Sequence, residues 1–167
     1  MKTELIHLRA MLLGGVSFYG DPFSRKGGWD ADNEIGKTCD RFLTHIAANP
    51  ERPYSRNKET VYEVHVYGDE TASKGYFEVF VGEEVTGAQL PVELSAKQLP
   101  ESDYIKITLS GQEITGDWWQ TLDADILPAF RAERSAPYII QAYDTRFKGM
   151  DQLDGSVMDA FIPVTVR

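Results

Sequence analysis

Two pairs of alternating segments constrain the fold of this chain more than anything else in it. Residues 62–67 (YEVHVY) correspond to residues 138–143 (YIIQAY), and residues 76–81 (YFEVFV) correspond to residues 157–162 (VMDAFI). Over residues 60–67 and 75–85 apolar and polar side chains alternate with the two-residue period of a half-buried strand. In this register Glu78 falls on Asp159, and Phe80 falls on Phe161. A helical stripe precedes each pair. Ile35, Cys39, Phe42, Leu43 and Ile46 recur at helical spacing, with Asp32 or Asn33 placed to cap the helix and Asn49-Pro50 to end it. Trp119, Leu122 and Ile126 form a second stripe in a helix expected from Thr115 to Pro128. Strands are expected over residues 5–19, with a bulge at Gly14-Gly15, and over residues 60–67 and 75–85, after a turn-rich loop over 20–33 (GDPFSRKGGWDADN). Residues 90–111 give two short strands or one bent strand, and residues 137–144 and 156–166 supply the closing strands. The pattern predicts one α+β domain over residues 1–167, made of two β-α-β-β repeats of about 1–85 and 90–167, with a ligand cleft at their pseudo-two-fold junction.

Charge and composition narrow the function. Seventeen basic against 26 acidic residues give a net charge of −9, and nucleic-acid binding needs clustered Lys and Arg. An acidic field favours cationic partners. No run reaches the ~18 apolar residues that span a bilayer, and the N-terminus (MKTELIHLRAMLLGG) lacks the apolar core of a signal peptide. A cytoplasmic protein with no membrane contact is expected. Cys39 is the single cysteine, and His7, His45 and His65 show no metal-ligand spacing to one another or to it. No metal or cofactor is expected. No phosphate loop follows Gly14-Gly15 or Gly27-Gly28, and neither Ser17 nor Ser156 has a nucleophile-elbow context.

Carboxylates on strands and an excess of aromatic side chains remain as candidates. Asp159 interrupts an apolar strand; alternation puts it with Val157 and Phe161 on one face, away from Met158, Ala160 and Ile162. A carboxylate in an aromatic-lined cleft is costly unless paired, so a ligand cation could supply its partner; a solvated outward position is the alternative. Glu63, opposite in face to Tyr62 and Val64, and Glu78 share that ambiguity. Phe18, Tyr67, Phe80, Tyr104, Trp118, Tyr143 and Phe161 supply rings for stacking and cation–π contact, with Trp118 at the edge of the face that Trp119 buries.

Seven segments carry a family resemblance across nearly the whole chain: GGVSFYGDPF (14–23), NEIGKTCDRF (33–42), YEVHVY (62–67), GYFEVFVGEEV (75–85), DWWQTLDADILP (117–128), YDTRFKGM (143–150) and SVMDAFIPV (156–164). In order, they resemble the GyrI-like small-molecule-binding family, which also forms the effector-binding half of multidrug-responsive regulators of the BmrR and Rob type. The resemblance implies two β-α-β-β units in one curved antiparallel sheet, two main helices on one side, and a hydrophobic cleft between the repeats. It also implies an acidic residue facing lipophilic cations on the last strand, here Asp159 where most members have Glu. Trp118 takes the Trp position of the family's Trp-Tyr pair, and Phe18 an aromatic or apolar cleft position. The regulators' DNA-binding segment has no counterpart in these residues. Three functions follow from the resemblance. The first is a stand-alone protein that binds or sequesters hydrophobic, cationic aromatic small molecules. The second is a hydrolase of cyclopropane-containing alkylating natural products, with Asp159, Glu63 or Glu78 activating water while Tyr104 or Trp118 holds the substrate. The third is a modulator of a protein partner, in the manner of a gyrase inhibitor.

Overall fold

The computed structural model describes residues 1–24, 27–87 and 89–167. Residues 25 and 26, within the loop expected over 20–33, lie outside the described residues. The chain is α+β with antiparallel pairing, and it divides into two compact units. One comprises Met11–Leu99, the other Met1–Ala10 with Pro100–Arg167.

The Met11–Leu99 unit contains strands β2 (Met11–Gly20), β3 (Val61–Tyr67), β4 (Phe77–Glu84) and β5 (Ser95–Leu99). They pair in the order β3-β4-β2-β5. Helix α1 (Glu34–Ala48) starts where the side chain of Asn33 accepts the backbone N–H of Gly36 at 2.9 Å, meeting one of the helix's orphan donors. Its apolar face packs on one side of the sheet, where Phe42 is fully buried among Val16, Phe77, Val79, Val81 and Val85. Leu43, expected in that stripe, is 49% exposed: at the edge of the stripe it turns to solvent. A short helix, α2 (Asp69–Lys74), fills the turn between β3 and β4 and closes on Gly75 at φ +73°, a conformation glycine reaches without Cβ strain.

The other unit contains β1 (Lys2–Leu8), β6 (Ser102–Ser110), β7 (Ala132–Arg134), β8 (Tyr138–Tyr143) and β9 (Val157–Val166). Strands β1, β6, β9 and β8 follow one another in that order, with β7 also pairing to β9. One face carries an apolar block: Ile105, Ile107, Leu109, Met158, Ala160 and Ile162 are all fully buried.

Three local expectations are corrected. The first strand does not bulge at Gly14-Gly15. The pairing of Leu13–Gly20 with Phe77–Glu84 is unbroken, and the chain breaks instead between β1 and β2. Glycine serves close strand approach here, since a Cβ on Gly15 would lie 2.1 Å from the carbonyl oxygen of Val81. Second, β1 pairs with β6 along Lys2–Leu8, so the opening strand belongs to the unit built by the C-terminal residues. Third, residues 115–128 form no continuous helix. A π-type turn, Leu122–Ile126, runs into the single helical turn Leu127–Ala129. Pro128 lacks an N–H and crowds the carbonyl four residues back, which a widened turn relieves. Leu122 and Ile126 are buried as their spacing predicts, but Trp119 is 56% exposed while Trp118 is half-buried, the reverse of the expected pair.

Candidate functional site

The register of β2, β4 and β3 places one row of side chains after another on the face that α1 covers. Val16, Val81 and Glu63 form one row, and Phe18, Val79 and His65 the next. Phe77 and Tyr67 form the third. Glu63 is 4% exposed, yet it lies between an apolar strand and an apolar helix. Cys39, one of the helix-stripe residues, donates its thiol to Glu63 Oε2 at 3.3 Å. Burial first, and then the Glu63 carboxylate, push that thiol far above the usual range, so Cys39 serves here as a donor and not as a nucleophile.

His65 Nε2 lies 2.7 Å from Glu63 Oε1, and its ring belongs to an aromatic group. Its centroid is 5.2 Å from that of Phe77 and 6.5 Å from that of Tyr67. Tyr67 and Phe77 are 5.3 Å apart, and Phe23, itself 42% exposed, reaches Phe77 at 6.1 Å. A buried carboxylate, an imidazole and three rings thus converge on one strand face. Such a group can attract a flat, hydrophobic cation by charge and by ring quadrupoles.

Of the residues singled out in the sequence, Phe18, Glu63 and Tyr67 share this face. Phe80 does not: it pairs in register with Val64 and Ser17 on the other side of the sheet. There the Lys97 ammonium sits 5.4 Å from the Phe80 ring centroid and bonds Glu78 at 2.8 Å. Glu78 is therefore engaged by lysine on a face remote from α1. His65, Phe77, Phe23 and Cys39 went unassigned as ligand contacts in the sequence. The signal was present in the two-residue spacing of Glu63, His65 and Tyr67, which places all three on one face.

The remaining candidates lie in the other unit. Thr108 and Ala142 flank Asp159 in register, with Lys106 and Ile140 flanking Phe161. Tyr104, Asp159 and Phe161 share that face, the Tyr104 and Phe161 rings meeting edge-on at 6.5 Å. Tyr104 is 1% exposed and hydroxyl-bonded to Tyr138 at 2.8 Å; burial, then that bond, push its phenol up. Tyr143 is on the opposite face, bonded to Gln141 and packed on Phe147. Trp118 lies in the loop before Leu122, its carbonyl accepting from Thr121.

Asp159 is 5% exposed, and the protein itself supplies its partners. Arg146 Nη2 donates to Oδ2 at 2.6 Å, Thr108 Oγ1 donates to Oδ1 at 2.6 Å, and the Lys106 ammonium is 3.7 Å away. Arg146 also grips Asp144, holding that carboxyl below its ordinary range. The cation expected from a ligand at Asp159 is thus already provided by Arg146. Asp159→Asn keeps the Thr108 contact and leaves Arg146 on Asp144. The expected result is a loss of about 1–2 kcal/mol in urea unfolding, with cation affinity within about twofold of wild type.

Comparison with known proteins bears on the fold and the family. The sequence model of the integron-associated effector binding protein family (Cass2) matches residues 4–164. No curated protein matches the chain. Among solved structures, SAV2435 bound to tetraphenylphosphonium superposes with a TM-score of 0.70 at 12% identity, covering 99% of this chain and 94% of that one. The EcmrR C-terminal domain gives 0.68 at 10% identity, with coverage of 99% and 98%. A hydrolase from Listeria innocua gives 0.57 at 8% identity, with coverage of 98% and 92%. Among the described residues no helix is long and apolar enough to cross a membrane.

Proposed function

Because the chain belongs to the integron-associated effector binding protein family and shares the fold of GyrI-like effector-binding domains, we propose that it binds hydrophobic aromatic cations, with Glu63 as the anionic anchor. The observation that carries this reading is Glu63 itself, buried and bonded to His65, whose ring in turn packs on Tyr67 and Phe77 on the strand face that α1 covers. A carboxylate withdrawn from water gains more from a cation than an exposed one does, since less solvent screens the pair. Each well-placed ring adds about 0.5–2 kcal/mol of cation–π attraction. The tetraphenylphosphonium bound by SAV2435 is a ligand of that class. Phe18 and Tyr67 are assigned to the ligand from the sequence-derived set, Phe77 and Phe23 from their ring contacts.

One observation favours a second reading. The Glu63–His65 contact at 2.7 Å is a carboxylate orienting an imidazole, the arrangement of a general base, and a neighbour in fold is a hydrolase. A single experiment separates the two: titration with rhodamine 6G by fluorescence, followed by mass analysis of the recovered dye and of an electrophilic aromatic substrate incubated alongside. Saturable binding with both compounds intact supports effector binding. Enzyme-dependent addition of water to the electrophile supports hydrolysis. No saturable binding of the dye overturns the cation reading.

A further inference from the structure

Arg131, in the turn between Leu127–Ala129 and β7, holds a backbone conformation that the rest of the chain leaves to glycine. Its φ is +51°, and every other positive φ among the described residues falls on a glycine. A Cβ crowds the main chain there, so arginine at this position costs stability that glycine would not. The turn is held from both sides: the N–H of Arg131 donates to the Pro128 carbonyl, and its own carbonyl accepts the N–H of Arg167, both at 3.0 Å. Both are main-chain bonds that glycine would make equally well. The fold therefore uses the conformation and leaves the guanidinium idle, since among the described residues that group has no hydrogen bond or ion pair.

Arg131 lines a groove of about 750 Å³, within the size range of small-molecule sites, and all of its lining belongs to the unit that holds β6–β9. Leu127, Pro128 and Ala132 give the groove apolar surface, while the guanidiniums of Arg131, Arg134 and Arg167 stand against the carboxylates of Asp123 and Glu133. Arg134 grips Asp123 through a two-point fork, both bonds at 3.0 Å, and Arg167 pairs with Glu133. Two of the three cations are thus answered within the protein, and Arg131 is left over. We infer that this groove binds a small amphiphilic carboxylate, whose anion meets Arg131 and whose apolar body lies against Leu127, Pro128 and Ala132. A guanidinium forks onto a carboxylate with two N–H donors, which suits it to that partner. The net charge of −9 does not forbid an anion here. At physiological salt, exposed charges more than about 8 Å away are largely screened, whereas a guanidinium in contact is not. The site makes no use of Glu63 or of the rings around it.

The test is fluorescence titration at about pH 7 with pyrenebutyrate, which is ionised there, and with pyrenebutanol, its uncharged counterpart. Wild type is expected to bind the acid about tenfold more tightly than the alcohol. Arg131→Gly should bring the two affinities together and, in the same protein, raise the urea midpoint of unfolding, because glycine reaches φ +51° without a Cβ penalty. Loss of the preference with a gain in stability marks a side chain kept for a ligand. Equal binding of acid and alcohol by wild type, or binding of neither, would overturn the inference. So would a preference that survives Arg131→Gly, which would place the anion elsewhere. A lowered midpoint in Arg131→Gly would make the arginine part of the fold and overturn it too.

Discussion

Replacing Glu63 with glutamine should weaken a lipophilic aromatic cation by about 30-fold to 1,000-fold while leaving a neutral analogue of the same shape within about threefold. Losing one member of a desolvated charge pair costs about 2–5 kcal/mol, much of it because the other charge is left without compensation. Glutamine keeps the volume and one accepting oxygen, so it holds the bond from Cys39 or from His65 but not both, and the sheet register is undisturbed. The pairing of cation and neutral probe is what gives the result its meaning. A loss shared equally by both would mean that the introduced amide repacks the face, and a loss by neither would remove Glu63 from recognition. Asp159→Asn is the matched comparison, removing a second buried carboxylate, the one that Arg146 holds.

The second large effect concerns stability. Arg52 Nε donates to Glu83 Oε1 at 2.6 Å, and the two side chains are only 7% and 2% exposed. The pair ties the segment following α1 to β4, next to the bond between His45 and Tyr54. Burial and then Glu83 raise the Tyr54 phenol, while Arg52 opposes them. Arg52→Ala strands the Glu83 carboxylate in an apolar setting and should cost about 3–5 kcal/mol, a large share of the roughly 5–15 kcal/mol that typically holds a domain folded. Urea unfolding followed by circular dichroism reads this directly. The double variant Arg52→Met/Glu83→Leu removes both charges and should recover to within about 2 kcal/mol of wild type, because a buried pair is worth little against a well-packed apolar one. A single variant that loses under about 1 kcal/mol would show that water reaches Glu83.

Local chemistry was the most legible part of the sequence. A cap at Asp32 or Asn33, the end of α1 at Asn49-Pro50 and the strands β3, β4, β8 and β9 all follow from single-residue preferences and short-range spacing. What escaped depends on distant residues. The pairing of β1 with β6 joins segments about a hundred positions apart, and no local pattern specifies it. The helix expected over 115–128 had the right stripe at Leu122 and Ile126, but Pro128 and the turn residues Gly116-Asp117 outweighed it and turned Trp119 outward.

The carboxylates show the same division. Alternation placed Asp159 with Phe161 and set Glu63 apart from Tyr62 and Val64, and the register agrees with both. It could not show that Arg146 neutralises Asp159. Arg146 reaches Asp159 from the loop after β8, thirteen positions away, and the reach of a loop arginine is set by tertiary structure. Phe80 went to the other side of its sheet for a simpler reason: it and Val79 are consecutive, and consecutive strand residues face opposite ways.

The central claim is that a small aromatic cation seats on the face bearing Glu63, His65, Tyr67 and Phe77. The most direct test is to saturate protein carrying isotope-labelled tyrosine and phenylalanine with tetraphenylphosphonium, and to measure nuclear Overhauser contacts to its phenyl protons. The account predicts contacts to the rings of Tyr67 and Phe77, and their disappearance in Glu63→Gln at the same ligand concentration. Contacts confined to Tyr104 and Phe161, on the Asp159 face, would contradict it.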